Sequence, residues 1–288
     1  MPKISMLACL ALSCAQAADE VKLNEVTVTS ATGFEQNIKD APASVSVISQ
    51  KEIVRRNHQD IESVVKDAPG VFGATLGAAS RRGITMRGLG QKYTKILIDG
   101  RPATSDSAYR GLRAVGSAQN FLPPANTIER IEIVRGPMSS LYGSDAMGGV
   151  INIITKGFSN EFSGNVNGYY TLAGKSGIND DYQAGFYANG AVIPDVLGIA
   201  LYGRYFHKFE DERVFTNRKN EDVNFGAKIM YNATENDEIA LDLRRVVNKY
   251  ERTEGKTLNR TASDNTSVAF EKMSGYTASL SHTGKYDK

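Results

Sequence analysis

Two textures divide the chain. Up to about Lys156 the apolar residues come in short runs closed by glycine, whereas beyond Asn160 they alternate with polar residues over long stretches. In the first part, the runs 84–86, 96–98 and 128–134 are each followed by Gly or Gly-Pro, which predicts strands ended by turns. Gly149–Thr155 is nearly continuous in β-branched residues behind a Gly-Gly pair, and predicts a buried or edge strand that another backbone approaches closely. Ser49-Gln50-Lys51-Glu52 is a capping box ahead of Ile53 and Val54 and predicts a helix start. Asp60 is expected to cap a second short helix with Ile61, Val64 and Val65 on one face, stopped by Ala68-Pro69-Gly70. These elements make an α+β domain over residues 34–156 around Val45, Val47, Val64, Val65, Ile96, Ile98, Ile131, Ile133 and Ile151.

In the second part, residues 157–288, Tyr182, Ala184, Phe186 and Ala188 share one strand face against Gln183, Gly185, Tyr187 and Asn189. Val223, Phe225, Ala227, Ile229 and Tyr231 likewise oppose Asn224, Gly226 and Lys228. Similar runs near 166–172, 199–206, 239–245 and 276–282 bring the expectation to about six strands, at roughly ten residues per membrane crossing. Apolar-out, polar-in alternation with Tyr and Phe near the run ends is the pattern of an outer-membrane barrel, although a soluble sandwich alternates in the same way. The charged stretches 207–222 and 248–266 are expected to be the longer external loops.

The motifs of the first part follow one another in a fixed order: Arg87-Gly88, Ile98-Asp99-Gly100, Ile128-Glu129-Arg130-Ile131-Glu132, Arg135-Gly136-Pro137, Leu141-Tyr142-Gly143 and Gly148-Gly149-Val150-Ile151-Asn152-Ile153. That order resembles the plug domain of TonB-dependent outer-membrane receptors. Ser80-Arg81-Arg82-Gly83-Ile84, Leu122-Pro123-Pro124 and the run from Gly136 to Ala146 are most similar to the ferric-catecholate receptors of the colicin I, vibriobactin and enterobactin receptor type. The resemblance implies a plug followed by an antiparallel transmembrane β-barrel in a Gram-negative outer membrane. It also implies a receptor rather than an enzyme, an iron(III)-siderophore as ligand with no cofactor held by the protein itself, and TonB with its inner-membrane energising complex as partner. Colicins would use the same outer surface.

Composition narrows the rest. With 34 basic and 32 acidic residues spread along the chain, the formal charge of +2 provides no field for nucleic acid. Lys3, an apolar run over residues 4–12 and Ala15-Gln16-Ala17 have the layout of a signal peptide over residues 1–17. Cys9 and Cys14 both fall inside it, so the exported chain is expected to carry no thiol; a lipid anchor at Cys14 is the alternative.

Residues 18–33 are expected to be a tether with a TonB box at Glu25, Val26, Thr27, Val28 and Thr29, through its resemblance to that element. An extended segment with free backbone groups can add as a strand to a partner's sheet edge. The bland alternative is the first strand of the plug, with no pairing partner evident nearby in sequence.

Catalytic patterns are weak: His58, His207 and His282 are far apart, Gly88-Leu89-Gly90 lacks a third glycine, and no metal motif occurs. The cluster that stands out is Arg81, Arg82, Lys92, Arg101, Arg110 and Arg113 interleaved with Tyr93 and Tyr109, all expected in loops between plug strands. A ferric tris-catecholate is an anion wrapped in aromatic rings, which guanidinium suits by its permanent charge and its stacking on π faces. Solvated loop charge is the alternative. Arg87, Glu129, Arg130, Glu132 and Arg135 alternate with apolar residues and are expected to form ion pairs among themselves and with the inner barrel wall. Other expected ligands are haem, cobalamin and other siderophores, and a periplasmic binding module is the alternative class. About six strands are too few to enclose a plug that needs roughly 22, so the chain is expected to be an N-terminal portion that transports nothing alone.

Overall fold

A computed structural model describes residues 27–33, 36–55, 64–76, 81–90, 93–103, 122–212, 218–254, 256–257 and 270–284. The first part forms β1 (Thr27–Val28), β2 (Gln36–Asn37), β3 (Ser44–Ser49), α1 (Gln50–Arg55), β4 (Val71–Leu76), β5 (Arg81–Met86), β6 (Thr94–Ile98) and β7 (Arg101–Pro102). It continues with β8 (Ile128–Arg135), the short α2 (Ser139–Tyr142) and β9 (Gly149–Thr155). The second part is six long strands: β10 (Ser163–Thr171), β11 (Asp181–Ile193), β12 (Leu197–Lys208), β13 (Lys219–Asn232), β14 (Asp237–Glu251) and β15 (Phe270–Gly284).

Five strands make the plug sheet, in the order β3-β8-β9-β6-β7. β9 is central rather than at an edge, antiparallel to β8 and parallel to β6, which is why it tolerates β-branched residues on both faces. Its alternation splits the core. Ile131, Ile133, Ile151 and Ile153 pack with Ile53 of α1, Val64, Val65, Ile84 and Met86, while Leu97, Val134 and Val150 pack with Met138 and Ala146. Val45, Val47 and Ile96 are half-buried members rather than core; the two valines lie on β3, an edge strand.

Gly149 shows why a Gly-Gly pair precedes β9: at φ +149° a Cβ there would lie 2.3 Å from Val134 O and 2.2 Å from Met86 Sδ. The capping box forms as the sequence predicts, Ser49 N donating to Glu52 Oε2 at 3.1 Å and Glu52 N to Ser49 Oγ at 3.4 Å. The expected Asp60 cap lies outside the described residues.

β10 to β15 form one antiparallel sheet in sequence order, whose terminal strands each have a single neighbour among the described strands. The register aligns Ile199, Ile229, Leu241 and Leu280 as a row on the outer face. Tyr231 stands toward the short-turn end of that face, and Tyr170, Tyr182, Tyr205 and Tyr276 toward the long-loop end, the girdle layout of a transmembrane barrel wall. The inner face buries Gln183, Tyr187, Asn189, Tyr202, Asn224, Lys228, Asp242 and Arg244. The expected external loops are shorter than the charge pattern predicted, because strands continue to Lys208, from Lys219 and to Glu251. There the charges pair across strands, Lys219 with Glu251 at 2.8 Å and Lys249 with Glu221 at 3.2 Å, so polarity marks strand ends beyond the apolar band rather than loop.

Candidate functional site

The plug meets the wall at the β6–β7 turn. Asp99, held at φ 47°, accepts from Thr155 N at 2.8 Å and Thr155 Oγ1 at 2.7 Å. Lys228, projecting inward from β13, donates to Thr155 Oγ1 at 2.9 Å with its ammonium 3.5 Å from the Asp99 carboxylate. One wall cation therefore grips two plug strands. Asn224 of the same strand donates to Leu122 O at 3.0 Å, and Asn189 of β11 to Gly157 O at 3.1 Å. Lys156 sits 4.3 Å above the Tyr187 ring, and burial holds its ammonium below the usual lysine range against the opposing pull of Glu129. Behind these contacts Tyr202 donates to Asp242 at 3.3 Å and accepts from Arg244 Nε at 3.3 Å, so these three inward polar groups find partners on the wall itself.

The second constellation joins the N-terminal segment to the sheet. Thr27 and Val28 pair with Asn37 and Gln36, a partner strand too short for the sequence pattern to show. Val28 and Ala31 are buried, and Ser30 is fully enclosed. Beneath them lies Glu132 of β8, a carboxylate with 0% exposure. Its Oε2 accepts from Thr29 N at 3.0 Å, Ser30 N at 2.9 Å and Ser30 Oγ at 2.6 Å, while Oε1 accepts from Arg130 Nε at 3.1 Å. Asn152 Nδ2 donates to Ser30 Oγ at 2.9 Å and Tyr142 OH to Ser30 O at 3.0 Å. Burial, with the Glu132 charge, pushes the Tyr142 phenol up.

The residues singled out in the sequence separate into several places. Arg81 and Arg82 are on strand β5, paired with Leu76 and Thr75, not in a loop: the hairpin extends past the apolar run because β pairing constrains backbone, not polarity. Tyr93 precedes β6 and Arg101 follows it, so the strand's length, about 16 Å, separates them. Arg101 lies 3.9 Å from Asp99, at the wall contact rather than beside Tyr93. Lys92, Tyr109, Arg110 and Arg113, and Glu25 and Val26 of the box, lie outside the described residues. Thr27, Val28 and Thr29 are docked on the plug.

Among the charges expected to pair, Arg130 bridges Glu129 at 2.8 Å and Glu132 at 3.1 Å. Arg135 instead donates to Ser46 Oγ at 2.8 Å, Ser44 Oγ at 2.9 Å and Pro69 O at 3.1 Å. Burial and the neighbouring Arg87 charge lower its pKa, and neither Arg87 nor Arg135 has an ionic partner among the described residues. The wall contact to the plug runs through Lys228 and Asp99, which the sequence showed only as an inward-facing residue and a turn dipeptide.

A central sheet, its N-terminal cover and a polar inner wall make a plug domain seated on the first strands of a barrel wall. Residues 37–150 match the TonB-dependent receptor plug domain family. An iron-regulated outer membrane virulence protein of Vibrio cholerae is 41% identical over 196 residues, covering 68% of this chain and 30% of the relative. A ferrienterobactin receptor of Escherichia coli is 36% identical over 182 residues, covering 60% of this chain and 24% of the relative. The crystal structure of the siderophore receptor PirA from Acinetobacter baumannii superposes with a TM-score of 0.73 at 29% identity, covering 86% of this chain and 38% of that one. The chain belongs to the TonB-dependent receptors, a family of transport receptors rather than enzymes. It spans less than a third of the length of the two curated relatives.

Proposed function

We propose that this chain forms the plug and the first wall strands of an outer-membrane receptor that takes up ferric siderophores of the catecholate class in a Gram-negative bacterium. The observation that carries the reading is the seating of a five-stranded plug against the inner face of a wall whose outer face is a band of apolar residues. Support for the ligand class comes from the arginine and tyrosine content around the plug strands, from the catecholate-type motifs, and from a ferrienterobactin receptor among the relatives. The residues proposed to meet the ligand are Arg81, Arg82, Tyr93, Tyr109, Arg110 and Arg113; Arg101 has its charge beside Asp99. Residues 25–29 are proposed to be read by TonB through strand addition after export directed by residues 1–17.

The test is a fluorescence titration of a receptor that begins with this chain, with ferric enterobactin as ligand and cyanocobalamin as competitor. Replacing Arg81, Arg82 and Arg113 together by Ala should weaken ferric enterobactin binding at least tenfold and flatten its salt dependence, as fewer cation–anion contacts remain. Unchanged affinity across salt, or tighter binding of cyanocobalamin, would overturn the ligand assignment.

A further inference from the structure

We propose that the outward face of β14 and β15, at their long-loop end, is a cradle for a lipid whose headgroup carries a phosphate monoester. The proposal goes beyond the uptake reading: it concerns the lipid-facing side of the wall and requires only that the wall spans a membrane. Outward positions there form successive rows across the two strands, Lys249 opposite Lys272, Val247 opposite Ser274 and Arg245 opposite Tyr276. Like charges placed directly opposite on one sheet face repel. Lys249 is matched by Glu221 at 3.2 Å and Lys219 by Glu251 at 2.8 Å, so these cations and carboxylates balance. Lys272 is exposed and has no carboxylate partner among the described residues. Arg245 has none either; its guanidinium carbon lies 4.2 Å over the Tyr276 ring, and its N–H groups remain available to an anion.

Two uncompensated cations, Lys272 and Arg245, suit a phosphate monoester, which carries about −1.5 to −2 charge near neutral pH, better than a singly charged diester. The rows of Lys249 and Arg245 are roughly 13 Å apart along β14, a span that long basic side chains can close from both ends, with the Ser274 hydroxyl between them. Depth fits the same partner. Val247 and Ser274 are level, through Val223, with Tyr205 of the girdle, so the cradle lies where headgroups meet hydrocarbon. Beneath it Leu243 opposite Ala278 and Leu241 opposite Leu280 continue the same two strands as an apolar track for acyl chains. The feature is also one-sided. At the short-turn end of these strands His282 is paired with Asp237 at 2.7 Å, and residues 230–240 and 278–284 contain no lysine or arginine. Cations above, an apolar track below and confinement to one leaflet match a lipid rather than a soluble anion.

A receptor that begins with this chain, embedded in phosphatidylcholine nanodiscs doped with phosphatidic acid, tests the cradle through native mass spectrometry of the lipids it retains. Arg245→Gln combined with Lys272→Gln should weaken phosphatidic acid binding at least tenfold, since each basic residue near an anionic lipid surface contributes about fivefold. The exchange Arg245→Lys with Lys272→Arg should keep binding within threefold of wild type. Wild type should also prefer phosphatidic acid to phosphatidylglycerol, a diester, by threefold or more. Should the double glutamine variant fail to insert, Lys272→Gln alone decides the matter at an exposed position: a loss of threefold or more supports the cradle, and no loss overturns it. Equal retention of phosphatidic acid by wild type and the double variant would overturn it, as would equal retention of phosphatidic acid and phosphatidylglycerol by wild type. Full displacement of the lipid by inorganic phosphate would refute the lipid assignment. A wild-type receptor that does not enter the bilayer would overturn the membrane reading of the wall and the cradle with it.

Discussion

At the scale of single residues, the plug is fixed in its wall by few but well-buried polar contacts. Lys228 illustrates the energetics: its ammonium trades water for Thr155 and Asp99, a charge-assisted contact whose removal costs about 1.5–3 kcal/mol. A double-mutant cycle of Lys228→Met and Asp99→Asn, read by denaturant unfolding in detergent, should therefore show coupling of about 1–3 kcal/mol. Additive effects would mean that the pair is only adjacent. Glu210, just past β12, provides a pH-dependent counterpart among the outer loops. Burial alone would raise its pKa, but hydrogen bonds donated by Thr253 and Thr257 together outweigh burial and hold it below the usual carboxylate value of 4.5. With the folded pKa depressed, the tie between the two loops is at full strength above about pH 4.5 and is lost as pH falls through the lower folded value. Protection of the Thr253 amide, corrected for its intrinsic exchange rate, should be flat from pH 7 to 5 and decline toward pH 3. Constant protection down to pH 3 would show that the carboxylate does not hold that loop.

Elements were legible in the sequence to the extent that their signal was local. Runs 84–86, 96–98, 128–134 and 149–155 all lie in strands because glycine closes them where the chain must turn, and the capping box around Ser49 marks α1 to the residue. β3 and β4 escaped notice: Ser-Val-Ser-Val-Ile-Ser is an edge strand with a half-polar face, and Val71–Leu76 carries a glycine in its middle. β1 lies in the segment whose alternative reading was the first strand of the plug, whereas its partner β2 is two residues long and no periodicity announces it. The same limit explains the site residues: the arginine and tyrosine cluster was recognised by composition, but which of its members share a surface is set by strand length and pairing. Glycine positions test this account at the element scale. Gly88→Ala meets nothing within 4 Å and should cost only the left-handed backbone penalty, about 1 kcal/mol. Gly149→Ala combines a positive φ with collisions against Val134 and Met86 at the start of the central strand, and should cost about 3 kcal/mol or more. Urea unfolding of the two variants gives the comparison, and equal losses would contradict the close approach at β9.

For the whole molecule, the wall separates two solvents by residue parity. Lys228 and Ile229 are neighbours in sequence yet belong to different phases: the lysine is buried against the plug, while the isoleucine, 37% exposed, lies in the row with Ile199, Leu241 and Leu280. That row lies two residues from Tyr231 at one end of β13 and four from the Phe225 level at which Arg245 stacks on Tyr276 at 4.2 Å. Between those levels β13 and β14 carry one outward charge, Arg245, and an aromatic ring receives it. A lysine placed at Ile229 has no such stacked ring and lies inside the apolar band, so in a bilayer Ile229→Lys should destabilise the folded protein by about 1–3 kcal/mol, between the interface and midplane values for a cation on a barrel wall. In a soluble sandwich the same change on a half-exposed face would cost about 0.5 kcal/mol or less. Unfolding titrations of wild type and variant in phosphatidylcholine vesicles separate the two cases. A difference below about 0.5 kcal/mol would mean that the outer face of β13 meets water, and the membrane assignment of the six-stranded wall would fall with it.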